Sequence, residues 1–140
     1  MTEIASLSTD DIFILGNTCG AAVGAGKGAE VAPIFKCLQL ERPENAGGFI
    51  MEAIHWQHQG KVGKAMSVLE EANAFTKDRN GDEAMALYTV LMLENNQHDA
   101  AYKIARDLLA ADTVISETAR QTLKSVLQDV DLIENEGEVA

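Results

Sequence analysis

The residues that could do chemistry are few, and three of them lie close together in the sequence. Glu52 and His55 have the Glu-x-x-His spacing of di-iron helical bundles, and His58 follows on the same predicted helix face. A di-iron site needs a second such pair, but the residue three positions before His98 is Asn95. A mononuclear metal site of Glu52, His55 and His58 stays open as an alternative. The simpler interpretation is that they are polar residues on an amphipathic helix, so we expect no metal.

A glycine-rich segment, Gly24–Gly28, invites comparison with a phosphate-binding loop. That motif requires a glycine five residues before a Gly-Lys pair and a hydroxyl residue after it. Here Gly20 is one residue too far from Gly26-Lys27, and Gly28 replaces the hydroxyl. We therefore expect a turn between two helices and no nucleotide site.

Nucleophilic catalysis is also not indicated. The two cysteines, Cys19 and Cys37, lie on apolar helical faces, and the sequence gives neither of them a neighbouring base. We expect both to be reduced thiols in a protein core. The protein is therefore expected to have no enzymatic activity and no cofactor.

Composition narrows the class of protein further. A chain of 140 residues with 46% hydrophobic residues suits one domain with a core. The net charge of −11 argues against binding to nucleic acid or to anionic membranes. Residues 1–11 lack the features of a signal peptide, and no apolar run approaches 18 residues. We therefore expect a cytoplasmic protein that does not insert into membranes.

The residue patterns predict helices throughout, because Ala, Leu, Glu, Gln and Met dominate and alternating β-branched runs are absent. Ser8 followed by Asp11 predicts a capped helix start, and Pro33 suits the first turn of the second helix. The predicted helices are 9–24, 29–41, 46–59, 62–75, 82–94, 98–111 and a last helix that ends near 134.

The stretch 46–74 predicts two helices joined at Gly60, which can adopt a left-handed conformation. Apolar residues at steps of three and four share one face of each helix: Phe49, Ala53 and Trp56, then Ala65, Leu69 and Ala72. The small residues Ala53 and Ala65 would let the two helices approach closely. This arrangement resembles a tetratricopeptide (TPR) repeat, although Glu52 stands where that family has leucine.

Neighbouring copies are expected, because such a repeat cannot bury its apolar face alone. A shift of 34 residues toward the N-terminus keeps every patterned position apolar or small, and Gly26 takes the place of Gly60. A shift of 35 residues toward the C-terminus places Asn95 there, and Asp107 departs from the pattern. The predicted repeats are 12–44, 46–78 and 81–112, followed by a capping helix over 114–134 and an acidic tail over 135–140. The capping helix has an apolar stripe of Ala119, Leu123, Val126, Leu127, Val130 and Ile133.

The resemblance implies an all-α, right-handed superhelix with a concave groove. The family's groove positions correspond here to Phe13, Gly16, Gly20 and Val23, then Gly47, Ile50, Ile54 and Gln57, then Asp82, Met85, Thr89 and Met92. This wall lacks the Lys, Arg and Asn that clamp a carboxylate, so the implied ligand is an apolar or amphipathic segment of a partner protein. In an alternative interpretation, Ile50, Ile54, Met85 and Met92 are core residues beneath the last helix, which could occupy the groove itself.

Three segments are similar to TPR proteins of bacterial type III secretion, of the Hrp or YscG kind, related in architecture to SycD-like chaperones. They are GKGAEVAPIFKCLQLERPENA, GKVGKAMSVLEEA and AMALYTVLMLENNQHDAAYKIARDLLA. The resemblance implies a chaperone or adaptor that covers the apolar face of a needle or translocator subunit before export. The alternatives are a generic TPR scaffold for assembly or homo-oligomerisation and, below it, a metal-binding helical protein.

Overall fold

The structure, a computed structural model, describes residues 7–114 and 116–138, the last ten by their backbone alone. Within these residues there are seven α-helices and no strand, which confirms the all-α class. The helices are α1 (Thr9–Gly24), α2 (Ala32–Glu41), α3 (Gly47–His58), α4 (Val62–Glu71), α5 (Gly81–Glu94), α6 (His98–Ala111) and α7 (Glu117–Glu138). Across this part of the chain, none of the helices combines the length and the apolar character needed to cross a membrane.

Most helix boundaries lie within one or two residues of those predicted. Helix α1 begins with the expected capping box, in which the Ser8 hydroxyl accepts from the Asp11 amide at 3.1 Å and the Asp11 carboxylate accepts from the Ser8 amide at 3.1 Å. Two predicted helices were too long, because each extends into a separate 3-10 helix. These are Gly28–Val31 before α2 and Ala74–Thr76 after α4. Asn73 ends α4 by adopting a left-handed conformation, with φ of 50°.

The C-terminal helix is longer than predicted. It continues to Glu138, through most of the segment 135–140 that was expected to be an acidic tail after the helix. Ala119, Leu123 and Val126 of its predicted stripe are buried. The side chains of Val130 and Ile133, and residues 139 and 140, lie outside the part of the chain that is described.

Three helix pairs are closed by the same turn. After α1, α3 and α5, the residues Gly26, Gly60 and Asn96 have φ values of 80°, 74° and 61°. In each turn the next amide donates to the carbonyl five residues earlier: Lys27 to Ala22, Lys61 to Trp56 and Gln97 to Met92, at 2.8 to 2.9 Å. These are Schellman motifs, which satisfy the free carbonyls at the end of a helix. Gly26 and Gly60 were predicted correctly, but the third position is Asn96 and not Asn95.

The hairpins stack into two rows of helices. Helices α1, α3, α5 and α7 contact one another in succession and form what we call the first row. Helices α2, α4 and α6 form the second row, and each packs against two successive helices of the first row. Three apolar clusters fill the space between the rows, one around each hairpin. Their most buried large residues are Phe35, Leu69, Leu91 and Leu123.

A ladder of polar contacts joins the loops that precede successive first-row helices. The Asn80 amide nitrogen donates to the Asn45 side-chain oxygen at 2.7 Å, and the backbones of Asn45 and Arg79 form an isolated parallel bridge. One hairpin further on, the Ser116 amide donates to an Asp82 carboxylate oxygen at 2.8 Å. We call these contacts the loop ladder. Asn45 and Asn80 are separated by 35 positions in the sequence, and Asp82 and Ser116 by 34. The contacts therefore hold successive hairpins in register at one end of the stack.

The left-handed turn after α3 provides a test of this account. We expect Gly60→Ala to lower the free energy of unfolding by about 1–2 kcal/mol, because a side chain at positive φ is strained. The matched control is Gly63→Ala, since a methyl group at Gly63 in α4 meets no atom within 4 Å. This control should leave stability unchanged or raise it by up to about 1 kcal/mol. Urea unfolding followed by circular dichroism distinguishes the two, and equal effects would contradict the assigned turn.

Candidate partner-binding surface

Eight of the twelve predicted groove positions were expected to bind a partner through their side chains. They are Phe13, Val23, Ile50, Ile54, Gln57, Met85, Thr89 and Met92. All eight lie on α1, α3 and α5, but they differ widely in accessibility. Phe13 on α1 is 70% exposed. Ile50, Ile54, Gln57 and Met85 are half-buried. The remaining three, Val23, Thr89 and Met92, are buried in the core of the chain itself. These three are therefore corrected from groove residues to core residues.

The turn geometry explains why Thr89 and Met92 are buried. Thr89 lies seven residues before Asn96, as Ala53 lies seven before Gly60, and both side chains are fully buried. Its hydroxyl donates to the Ala86 carbonyl at 2.7 Å, so burial leaves no polar atom unsatisfied. Met92 lies four residues before Asn96, just as Trp56 lies four residues before Gly60. The third copy is therefore displaced by 36 residues at this turn and not by the 35 used for the prediction.

The corrected register assigns different residues of α5 to the open face. The positions that correspond to Ile50, Ile54 and Gln57 become Ala86, Val90 and Leu93. Ala86 is buried, and Val90 and Leu93 pack against the cluster that α7 completes with Ala119, Leu123 and Val126. Helix α7 therefore covers the part of the face that α5 would contribute. The mismatch at Asp107 was the sequence signal for this error. A shift of 35 residues pairs Ala72 with Asp107, whereas a shift of 36 pairs it with the apolar Leu108.

The part of the face that stays open lies on α1 and α3. A small cavity of about 160 Å³ lies between them, and Ile12, Gly16, Gly47 and Met51 contribute to its lining. Gly16 is in the interior of α1, where glycine costs roughly 1 kcal/mol relative to alanine. A methyl group at Gly16 would meet no atom within 4 Å. The packing of the chain itself therefore does not explain this glycine.

The carboxylate of Glu52, at the position where the TPR pattern has leucine, is buried in a polar network. It accepts hydrogen bonds from Lys36 Nζ at 2.8 Å, Gln39 Nε2 at 2.9 Å and Trp56 Nε1 at 3.3 Å. The ammonium group of Lys64 lies 3.6 Å from the centre of a Trp56 ring, a cation–π contact. The network joins α2, α3 and α4 through a buried charge that is fully hydrogen-bonded.

The network also sets the pKa of Glu52. Burial raises the pKa, but the hydrogen bonds from Lys36, Gln39 and Trp56 and the charge of Lys36 outweigh burial, and the pKa is lowered from its ordinary value of 4.5. Because the pKa is lower in the folded state, ionised Glu52 stabilises the fold above pH 4.5. This contribution is lost as the pH falls through the lowered pKa.

We expect Glu52→Gln to lower the free energy of unfolding by about 1–3 kcal/mol at pH 7, because it removes the charge that Lys36 and Gln39 bind. The difference in the free energy of unfolding between the variant and the wild type should shrink when unfolding is measured near pH 3. Glu71→Gln, which changes an exposed carboxylate on α4, is the control and should have little effect at either pH. A difference for Glu52→Gln that does not change with pH would contradict the assigned network.

His55 is a second buried polar residue of α3, and it contacts the turn before α2. Its Nδ1 atom is buried and has no hydrogen-bond partner among the described residues. The ring lies against Gly28: a Cβ atom added to that glycine would be 2.3 Å from Nδ1 and 2.8 Å from the Cβ of His55. Close packing of His55 therefore requires glycine at this position.

We expect Gly28→Ala to destabilise the protein by about 1–3 kcal/mol, because the added methyl group overlaps the His55 side chain. The same change in a His55→Ala background should cost much less, since the overlapping ring is absent. Gly24→Ala is the control, because a methyl group there meets no atom within 4 Å. Thermal unfolding of the four proteins of the double-mutant cycle, together with the control, measures the coupling, and additive effects would contradict the contact.

The geometry gives little support to metal or nucleophilic chemistry at these residues. Glu52 is directed into its hydrogen-bond network, and within the described residues no group of three or more His, Cys, Asp or Glu side chains could hold a metal ion. Burial raises the pKa of the Cys19 thiol. Burial, with the hydrogen bond to Glu70 and its charge, raises the pKa of Tyr88 to about 12. Both groups are therefore protonated at neutral pH and poorly nucleophilic.

No family model matches the sequence, and neither a curated protein nor a solved structure matches the chain. The resemblance to TPR proteins of type III secretion is therefore a prediction from the motifs of this chain. The geometry of this chain defines the candidate surface as the apolar face of α1 and α3, two neighbouring helices of the first row.

Proposed function

We propose that the protein is a non-enzymatic, TPR-like chaperone or adaptor that binds an apolar or amphipathic segment of a partner protein. Three hairpins closed by Schellman motifs at Gly26, Gly60 and Asn96 support a repeat architecture. The row of contacts among α1, α3, α5 and α7, with the second row behind it, supports a TPR-like right-handed superhelix. In such an architecture the face of the first row is the binding surface.

The observation that carries the proposal is the exposure of Phe13 beside an open glycine. An exposed phenylalanine on a helix that also has Gly16 with empty space above it offers an anchor and a close approach for another helix. Ile50 and Ile54 on α3 are half-buried and extend this apolar face toward the centre of the molecule. A partner helix would therefore lie along α1 and α3, and not along the part of α5 that α7 covers.

The narrower proposal concerns the identity of the partner. The sequence motifs favour a type III secretion subunit, such as a needle or translocator protein, held in the bacterial cytoplasm before export. Binding lowers the free concentration of a self-associating segment by mass action, and this role needs neither turnover nor a cofactor.

A generic scaffold that self-associates is the second candidate. Ile14 and Leu40 are also large, apolar and exposed, at 62% and 83%, and Leu40 belongs to the second row, away from the proposed face. Such residues favour contacts outside a single groove. Sedimentation of the purified protein that shows concentration-dependent dimers, lost on Leu40→Ser, would favour this candidate.

The proposed face is tested by co-purification from the native bacterium. We expect the wild-type protein to retain a small helical secretion subunit, and Phe13→Ser to weaken that binding by about tenfold or more, as loss of an anchor residue does. Leu40→Ser is the matched control, because it removes a large apolar side chain of the second row that is even more exposed than Phe13. Circular dichroism should show that both variants stay folded.

Two results would count against the proposal. If only metabolic enzymes co-purify with the wild-type protein, the secretion role is wrong. If Leu40→Ser reduces binding as much as Phe13→Ser does, the face on α1 and α3 is not the binding surface.

A further inference from the structure

Charge is distributed unequally between the two rows of helices. The first three helices of the first row, α1, α3 and α5, contain six carboxylates and no lysine or arginine. The three helices of the second row contain five carboxylates and four basic residues. The basic residues of the second row are Lys36, Lys64, Lys103 and Arg106.

Two of these six carboxylates, those of Asp10 and Glu94, are exposed near the apolar face, and three others are hydrogen-bonded at the start of α1 or α5. Glu52 points toward the second row and is neutralised by Lys36. Asp10 is exposed three residues before Phe13, so both lie on the same side of α1. Glu94, the last residue of α5, is exposed and accepts a hydrogen bond from Gln57 Nε2 at 2.7 Å. One exposed carboxylate therefore lies near each end of the apolar face that runs from Phe13 to Gln57, and α1, α3 and α5 place no lysine or arginine beside it.

From this asymmetry we infer that the segment bound by the first row is a cationic amphipathic helix, with an apolar stripe against Phe13, Ile50 and Ile54 and lysine or arginine beside it. The inference rests on the proposed function and adds the charge of the partner to it. A second copy of this chain does not fit, because its net charge of −11 would oppose the acidic ends of the apolar face.

Two synthetic helical peptides of about 18 residues test the inference. Both carry the same leucine face, and their polar faces consist of lysine in one and glutamate in the other. Fluorescence anisotropy with the full-length chain should show saturable binding of the lysine peptide that weakens with added salt. The glutamate peptide should bind at least about tenfold more weakly.

Paired variants separate a local effect from the effect of net charge. Asp10→Asn combined with Glu94→Gln removes one first-turn and one last-turn carboxylate from the first row. Asp99→Asn combined with Glu71→Gln removes exposed carboxylates from equivalent helix positions in the second row. The first pair should weaken binding of the lysine peptide by about fivefold, and the second by less than about twofold.

Each outcome has a distinct meaning. Equal binding of both peptides, or equal effects of the two variant pairs, would overturn the inferred charge of the partner while leaving an apolar groove. If neither peptide binds, the proposed function fails and the inference fails with it. Selective binding of the lysine peptide that depends on Asp10 and Glu94 supports both.

Discussion

The fold depends on a residue that can hold a positive φ angle after each of the helices α1, α3 and α5. Gly26, Gly60 and Asn96 reverse the chain within a few residues, so that the next helix packs back on the previous one. Seven residues before each of these positions, Cys19, Ala53 and Thr89 are fully buried. The small side chains let neighbouring helices approach closely, and the turn fixes which residues face the core and which stay open.

The buried carboxylate of Glu52 adds specificity to this packing. A leucine at this position would give apolar burial without directional contacts. The carboxylate instead requires Lys36 and Gln39 on α2 at defined distances, which ties α3 to the preceding hairpin. A buried charge is costly unless it is fully paired, so the network penalises any other arrangement of the two helices. The same pairing removes Glu52 from the surface, and the proposed binding face is left without this charge.

Local patterns predicted most of the helices and two of the three turns, because glycine is the usual residue at a left-handed position. They could not choose between the adjacent residues Asn95 and Asn96, since either side chain tolerates that conformation. The choice depends on burial of Thr89 and Met92, which is a tertiary effect. Because groove residues were transferred through this register, an error of one residue moved buried side chains onto the predicted face. The partners of Glu52 were equally out of reach, since Lys36 and Gln39 are 16 and 13 residues away.

The loop ladder fixes the spacing of hairpins at one end of the stack. Asn45 is hydrogen-bonded to Asn80, and Asp82 is hydrogen-bonded to Ser116. These short polar contacts hold the N-terminal ends of α3, α5 and α7 together. The opposite end consists of solvent-exposed turns, where Gln57 and Glu94 form a bond between flexible side chains. Bending of the stack is therefore easiest by pivoting about the ladder, with the turn ends separating or closing. Such a motion changes the curvature of the molecule without breaking a hairpin, and it would let the proposed binding face fit partner helices of different thickness.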